Sequence, residues 1–181
     1  TAGQRLSQVL ELDPATNLWT QKSPMAIPRH AHKLVVWEGK VWVIGGAPGS
    51  NTSTTSVEIY DPTADSWTTG PSLTVARTYP SAWVANGKIY VAGGRDCSTS
   101  SEHLISVETY DPATNQWTAA GSLPEKKYVA DATVLDGKIY LVAGWSGGGN
   151  LSNKVFAADI TPPMDLYFRD ANATGTITLS K

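Results

Sequence analysis

His30 and His32 stand two apart in a run that reads as a β-strand, so both imidazoles leave one face at a spacing that suits two ligands of one metal. A third ligand would have to be His103 or a carboxylate from elsewhere in the chain; otherwise the pair is a hydrogen-bonded polar cluster. Arg29, Arg77 and Lys127 recur at one position of a repeat. They can form a basic arc that attracts an acidic ligand, or pair with glutamates such as Glu58 and Glu108. Tyr79, Tyr128, Trp145 and Trp83 offer rings for a sugar- or peptide-binding platform, or for a core. Arg95 and Asp96 precede Cys97; the arginine lowers a thiol pKa, the aspartate opposes it, and His103 is the one nearby base. The candidate ligand-binding residues are therefore Arg29, His30, Arg77, Tyr79, Arg95, Asp96, Lys127, Tyr128 and Trp145. No catalytic set, resident metal or cofactor is expected.

Composition narrows the classes of function. Lys+Arg 14 against Asp+Glu 16 gives a net charge of −2 without a basic cluster, so the phosphate neutralisation that drives nucleic-acid binding has no source. The longest apolar runs, such as 34–37 and 41–44, fall far short of the roughly 20 residues of a membrane-crossing helix. One cysteine in 181 residues excludes an internal disulfide and a multi-cysteine metal site. Residues 1–5 carry no apolar signal region, which reads as an intracellular protein or a processed or trimmed chain. Asn51-Thr52-Ser53, Asn150-Leu151-Ser152 and Asn172-Ala173-Thr174 match the glycosylation acceptor pattern, at a frequency expected by chance in so Asn-, Ser- and Thr-rich a chain. The overall reading favours an extracellular or cell-surface location over a cytoplasmic one.

The elements that must position these residues follow from an internal repeat. Leu12-Asp13-Pro14-Ala15-Thr16-Asn17-Leu18-Trp19 recurs as Tyr60-Asp61-Pro62-Thr63-Ala64-Asp65-Ser66-Trp67 and as Tyr110-Asp111-Pro112-Ala113-Thr114-Asn115-Gln116-Trp117, with Trp-to-Trp steps of 48 and 50 residues. Gly-Lys-Val-Trp-Val-Ile-Gly-Gly at 39–46, Gly-Lys-Ile-Tyr-Val-Ala-Gly-Gly at 87–94 and Gly-Lys-Ile-Tyr-Leu-Val-Ala-Gly at 137–144 keep the same period. Apolar runs at 32–37, 79–85 and 130–135 end in Glu38-Gly39, Asn86-Gly87 and Asp136-Gly137, signals for tight hairpins. A third strand stops at each Asp-Pro, and a fourth begins at the Trp. Four antiparallel strands in about 50 residues make a propeller blade.

The Gly-Gly after a Gly-Lys-Ile-Tyr strand, the Val-Glu-x-Tyr-Asp-Pro turn and the following Trp resemble the kelch-repeat β-propeller family over roughly residues 5–160. The fold class expected is all-β: a kelch-type arc of four-stranded antiparallel blades, an incomplete ring in a single chain. Residues 1–20 read as outer strands of an incomplete blade, 21–70 and 71–120 as full blades, 121–163 as a degenerate one and 164–181 as a tail. About three and a half blades is half a ring, so the ring is completed by missing blades of a longer chain or by a second copy in a homodimer. The resemblance implies a non-catalytic module that presents loops of one face to a protein or carbohydrate partner; nucleic acid and membranes are not expected partners. The alternative it implies is part of a sugar-acting propeller enzyme, oxidase-like or sialate-isomerising, with Arg77, Tyr79 and Trp145 as binders. Residues 76–94 are similar to the copper-tyrosine blade of galactose oxidases, with Tyr79 at the ligating tyrosine. The strand at 30–37 lacks the cysteine that cross-links that tyrosine, and Asp96 stands where the stacking tryptophan belongs.

Overall fold

The computed structural model describes residues 5–97, 102–146, 150–160 and 168–170. Those residues form strands and turns, without a helix. In chain order the strands are β1 (Val9–Asp13), β2 (Leu18–Lys22), β3 (Lys33–Trp37), β4 (Lys40–Ile44), β5 (Val57–Asp61), β6 (Ser66–Thr69), β7 (Ser81–Ala85), β8 (Lys88–Ala92), β9 (Arg95–Asp96), β10 (Glu102–His103), β11 (Ser106–Asp111), β12 (Gln116–Ser122), β13 (Lys127–Tyr128), β14 (Asp131–Leu135), β15 (Lys138–Val142), β16 (Trp145–Ser146), β17 (Asn150–Leu151), β18 (Val155–Asp159) and β19 (Arg169–Asp170).

Three four-stranded antiparallel sheets result, ordered β3-β4-β5-β6, β7-β8-β11-β12 and β14-β15-β18-β19, preceded by the pair β1-β2. The inner strands begin one or two residues later than the apolar runs suggest, because the residues ahead of them form the inter-blade linker. Each first hairpin turns on left-handed pairs, with Glu38 and Gly39 at φ 49° and 72° and Asn86 and Gly87 at 48° and 69°. The Asp-Pro turns close on the aspartate: Asp61 Oδ1 accepts the Thr63 amide at 2.9 Å, and Asp111 Oδ1 accepts that of Ala113 at 2.9 Å. In the first and second full blades the turn tryptophan ties its outer strand to the linker that enters its own blade, whereas Trp19 of the β1-β2 pair is exposed. Trp67 Nε1 donates to the Ser23 carbonyl at 2.7 Å and Trp117 Nε1 to that of Pro71 at 3.0 Å. In the third blade Phe168 takes over this packing, buried edge-on against Trp83 at 6.0 Å, and β19 pairs Phe156–Ala157 as the outer strand. Pro162-Pro163, Asp165 and the tail from 171 lie outside the described residues.

The core lies between blades. Val35, Trp42, Ile44 and Val57 of the first full blade face Ala82, Ile89, Val91 and Trp117 of the second. Trp83, Tyr90 and Val107 of the second face Ile139, Leu141 and Phe156 of the third. Period-two alternation thus lets the second sheet bury apolar side chains on both of its faces, one against each neighbouring blade. Beside β1-β2, Leu34, Val41 and Val43 line a cavity of about 570 Å³. Among the innermost strands β7 lies between β3 and β14, with the Ser81 hydroxyl donating to the Ala130 carbonyl at 2.8 Å. Lys33 and Asp131, first residues of β3 and β14, form an ion pair across the width of β7.

Candidate functional site

Strands alternate in direction, so the loops from second to third strand and the inter-blade linkers emerge together, opposite the Gly-Lys hairpins and Asp-Pro turns. The glycine pairs set this face. The amide of Gly46 donates to the Arg77 carbonyl at 2.9 Å and that of Gly94 to the Lys127 carbonyl at 2.7 Å, so each loop is bonded to the linker of the next blade. A Cβ on Gly45 or Gly93 would stand 2.5 or 2.4 Å from those carbonyls. Short strands extend the loops above the sheets: β9 pairs β10, and β16 pairs both β13 and β17.

Arg29 and Arg77 point into the blades, 3% and 0% exposed. Arg77 Nη1 donates to the carbonyls of Gly93 at 2.8 Å and Ser106 at 3.2 Å, and Nη2 to Glu108 Oε1 at 2.6 Å. Arg29 repeats this with Gly45 at 2.8 Å, Ser56 at 3.1 Å and Glu58 at 2.5 Å. Each glutamate also accepts linker amides, Glu108 from Thr74 at 2.7 Å and Val75 at 3.2 Å. The cluster clamps linker, loop and third strand together. Burial lowers both guanidinium pKa values, partly offset by the facing glutamates. These arginines therefore form no basic arc at the surface, and of the two roles open to them they take the pairing with Glu58 and Glu108.

The third blade solves the same problem differently. Phe156 stands in the register of Glu58 and Glu108, and the buried Lys127 ammonium lies 5.1 Å from its ring centre. The carboxylate comes instead from Glu125, 3.0 Å from Lys127 Nζ and 2.8 Å from Lys154 Nζ. The Lys127 contact is an ion pair without good hydrogen-bond alignment. Burial raises the Glu125 pKa, but the hydrogen bond from Lys154 and the neighbouring charges of Lys127 and Lys154 outweigh it, and the net shift is downward from 4.5. A depressed carboxylate pKa stabilises the folded state above the unfolded value and loses that contribution as pH falls through the folded one. The protection factors of β15 amides, which allow for the intrinsic slowing of exchange in acid, should therefore fall below about pH 4.5, and Glu125→Gln should flatten that acid dependence; an unchanged profile in the variant would contradict the assignment.

Rings run along the linker face. His30 meets Tyr79 at 6.4 Å, Tyr79 meets Tyr128 at 6.4 Å and Tyr128 meets Trp145 at 6.0 Å, while His103 stacks on Tyr128 at 4.3 Å. Three blades thus contribute to one aromatic line. Trp83 does not join it; it is buried 3% exposed between the second and third blades, stacked on Tyr90 at 5.6 Å. Arg95 lies on β9 opposite His103. Asp96 accepts the Ser53 hydroxyl at 2.8 Å, and the Cys97 thiol lies 4.0 Å from the Thr78 hydroxyl. Burial lowers the His32 pKa below the usual imidazole value, with Arg29 and His30 adding to the depression, and burial with Arg95 and Lys126 lowers that of His103. Among the described residues no three His, Cys, Asp or Glu side chains converge as a metal site. Sequence reasoning missed Ala31 and Val129, which flank the aromatic line; their only signal is their place just before the inner strand of each repeat.

Repeated four-stranded sheets packed face to face, with glycine pairs that admit the next linker, define a blade-repeat β-propeller domain with one loop-bearing face. The KLHDC2/KLHL20/DRC7 Kelch-repeats domain model matches residues 1–144, and the chain belongs to this kelch-repeat family. It is similar in fold to the solved structure of YjhT, at a TM-score of 0.77 and 19% identity, over 98% of this chain and 68% of that one. No curated protein sequence matches significantly.

Proposed function

We propose that the domain is a non-catalytic binding module that presents its loop face to a partner molecule, with Tyr79, Tyr128 and Trp145 at the contact. The observation that supports this reading is the aromatic line from His30 to Trp145, built by linkers and loops of three blades and lying outside the inter-blade cores. The opposite face consists of short hairpins and Asp-Pro turns whose side chains are used in closing the turns. Rigid sheets carrying irregular loops are the usual support for recognition. Peptide and glycan arrays probed with the folded chain test the reading. Trp145→Ala is expected to weaken binding at least tenfold, on the order of one aromatic contact, while Lys40→Glu on the hairpin face leaves it unchanged. Binding that responds to Lys40→Glu and not to Trp145→Ala would sink it.

A further inference from the structure

Asn86 opens the first hairpin of the second full blade, at the position that Glu38 holds in the first and Asp136 in the third. Of these three side chains it is the one that can donate a hydrogen bond as well as accept one. The donor is used across the blades: Asn86 Nδ2 donates to the Ile160 carbonyl at 2.6 Å. Ile160 follows β18 where the two preceding blades have Pro62 and Pro112, and its own amide donates to the Gly137 carbonyl at 3.0 Å. The hairpin of the second blade, the end of β18 and the hairpin of the third blade are thus joined in series, and the first link is a side-chain amide.

The residue after Asn86 makes that amide reactive. Asparagine is a thermolabile residue, and a following glycine places no side chain over the backbone nitrogen that attacks it. A Cβ at Gly87 would meet nothing within 4 Å, so the approach is open. Ala85 pairs with Lys88, which leaves Asn86 and Gly87 outside the ladder, and both are exposed to water. Asn17, Asn51 and Asn115 are left-handed turn residues as well, at φ 57°, 50° and 55°, but Leu18, Thr52 and Gln116 follow them and screen the nitrogen. We propose that Asn86-Gly87 is a self-modification site: spontaneous deamidation there breaks the tie to Ile160, and the intact tie holds the reaction back. The Gly87 nitrogen gives its proton to solvent and bonds to Asn86 Cγ, while the Cγ–Nδ2 bond breaks and that nitrogen takes a proton from water and leaves as ammonia. Water then opens the cyclic imide at either carbonyl, giving aspartate or isoaspartate. Closing the imide swings Cγ onto the Gly87 nitrogen and draws Nδ2 away from Ile160, so the rate follows the opening of the junction between the second and third blades. The product carboxylate has no donor for the Ile160 carbonyl, and the junction stays loosened. The site lies opposite the loop face, and its chemistry is independent of what that face binds.

Peptide mapping of the folded chain, incubated at mildly alkaline pH, tests this. The mass change of amide to acid should appear at Asn86 before it appears at Asn17, Asn51 or Asn115, as a mixture of aspartate and isoaspartate. Ile139 is fully buried against the second blade and pairs with Ala158, two residues before Ile160. Ile139→Val should speed conversion at Asn86 about fivefold, the factor that one deleted buried methylene makes in an opening equilibrium. Asn86→Asp, which mimics the product, should lower the melting temperature by about 2–4 °C, as expected for one lost hydrogen bond, and should hasten amide exchange at Ile160. Conversion at another asparagine first overturns the site. A rate untouched by Ile139→Val overturns the gating, and an unchanged melting temperature in Asn86→Asp overturns the tie.

Discussion

Glu108→Ala should lower the unfolding free energy by about 3–5 kcal/mol, the range for breaking a buried ion pair from one side. The Arg77 side chain is fully buried, and among the described residues Glu108 is the carboxylate that bonds it, so the variant leaves a guanidinium without its ion-pair partner inside the second blade. It also strips the Thr74 and Val75 amides of their acceptor. Urea unfolding reads the loss as a fall in midpoint at unchanged slope. The third blade supplies a second arm to the experiment. There a phenylalanine at the equivalent position is tolerated because the cation is a lysine and its carboxylate sits two residues upstream, at Glu125. Glu108→Phe alone should be as damaging as Glu108→Ala, and adding Arg77→Lys with Val75→Glu should recover most of the loss. If the single and triple variants are equally stable, the clamp is not what joins linker to sheet.

Gly93→Ala should cost about 3 kcal/mol, much more than Gly87→Ala at about 1 kcal/mol. Both glycines have positive φ, 61° and 69°. A Cβ on Gly87 has nothing within 4 Å, so that variant measures backbone conformation alone. On Gly93 the Cβ would lie 2.4 Å from the Lys127 carbonyl, which is fixed by the 2.7 Å bond from the Gly94 amide. The second and third blades must then separate. The chain itself shows that conformation is the smaller part, because Ala143 occupies the equivalent site in the third blade with φ 57°. Chemical denaturation of the two variants side by side provides the comparison, and equal losses would mean that the carbonyl contact is slack.

These effects bear on how much of the molecule can be read from its sequence. The hairpins, the Asp-Pro turns and the order of strands in each blade are legible because each rests on local chemistry: left-handed pairs at Asn86-Gly87 and carboxylates that cap their own turns. The fate of Arg77 is not legible in the same way. A repeated cation reads equally as a surface arc or a buried clamp, and only the register of Glu108 across β8 and β11 decides. The short strands β9, β10, β13, β16 and β17 escape notice because two-residue ladders leave no periodicity. The left-handed conformation of Tyr79 and Val129 escapes for another reason: it is set by bonds between blades and not by residue type.

The measurement that bears most directly on loop-face recognition is amide hydrogen exchange of the chain, free and saturated with the tightest peptide from the arrays. Slower exchange on binding at Tyr79, at Val129 and in β16 is the result expected. Protection confined to Glu38-Gly39, Asn86-Gly87 and Asp136-Gly137, on the hairpin face, would contradict it.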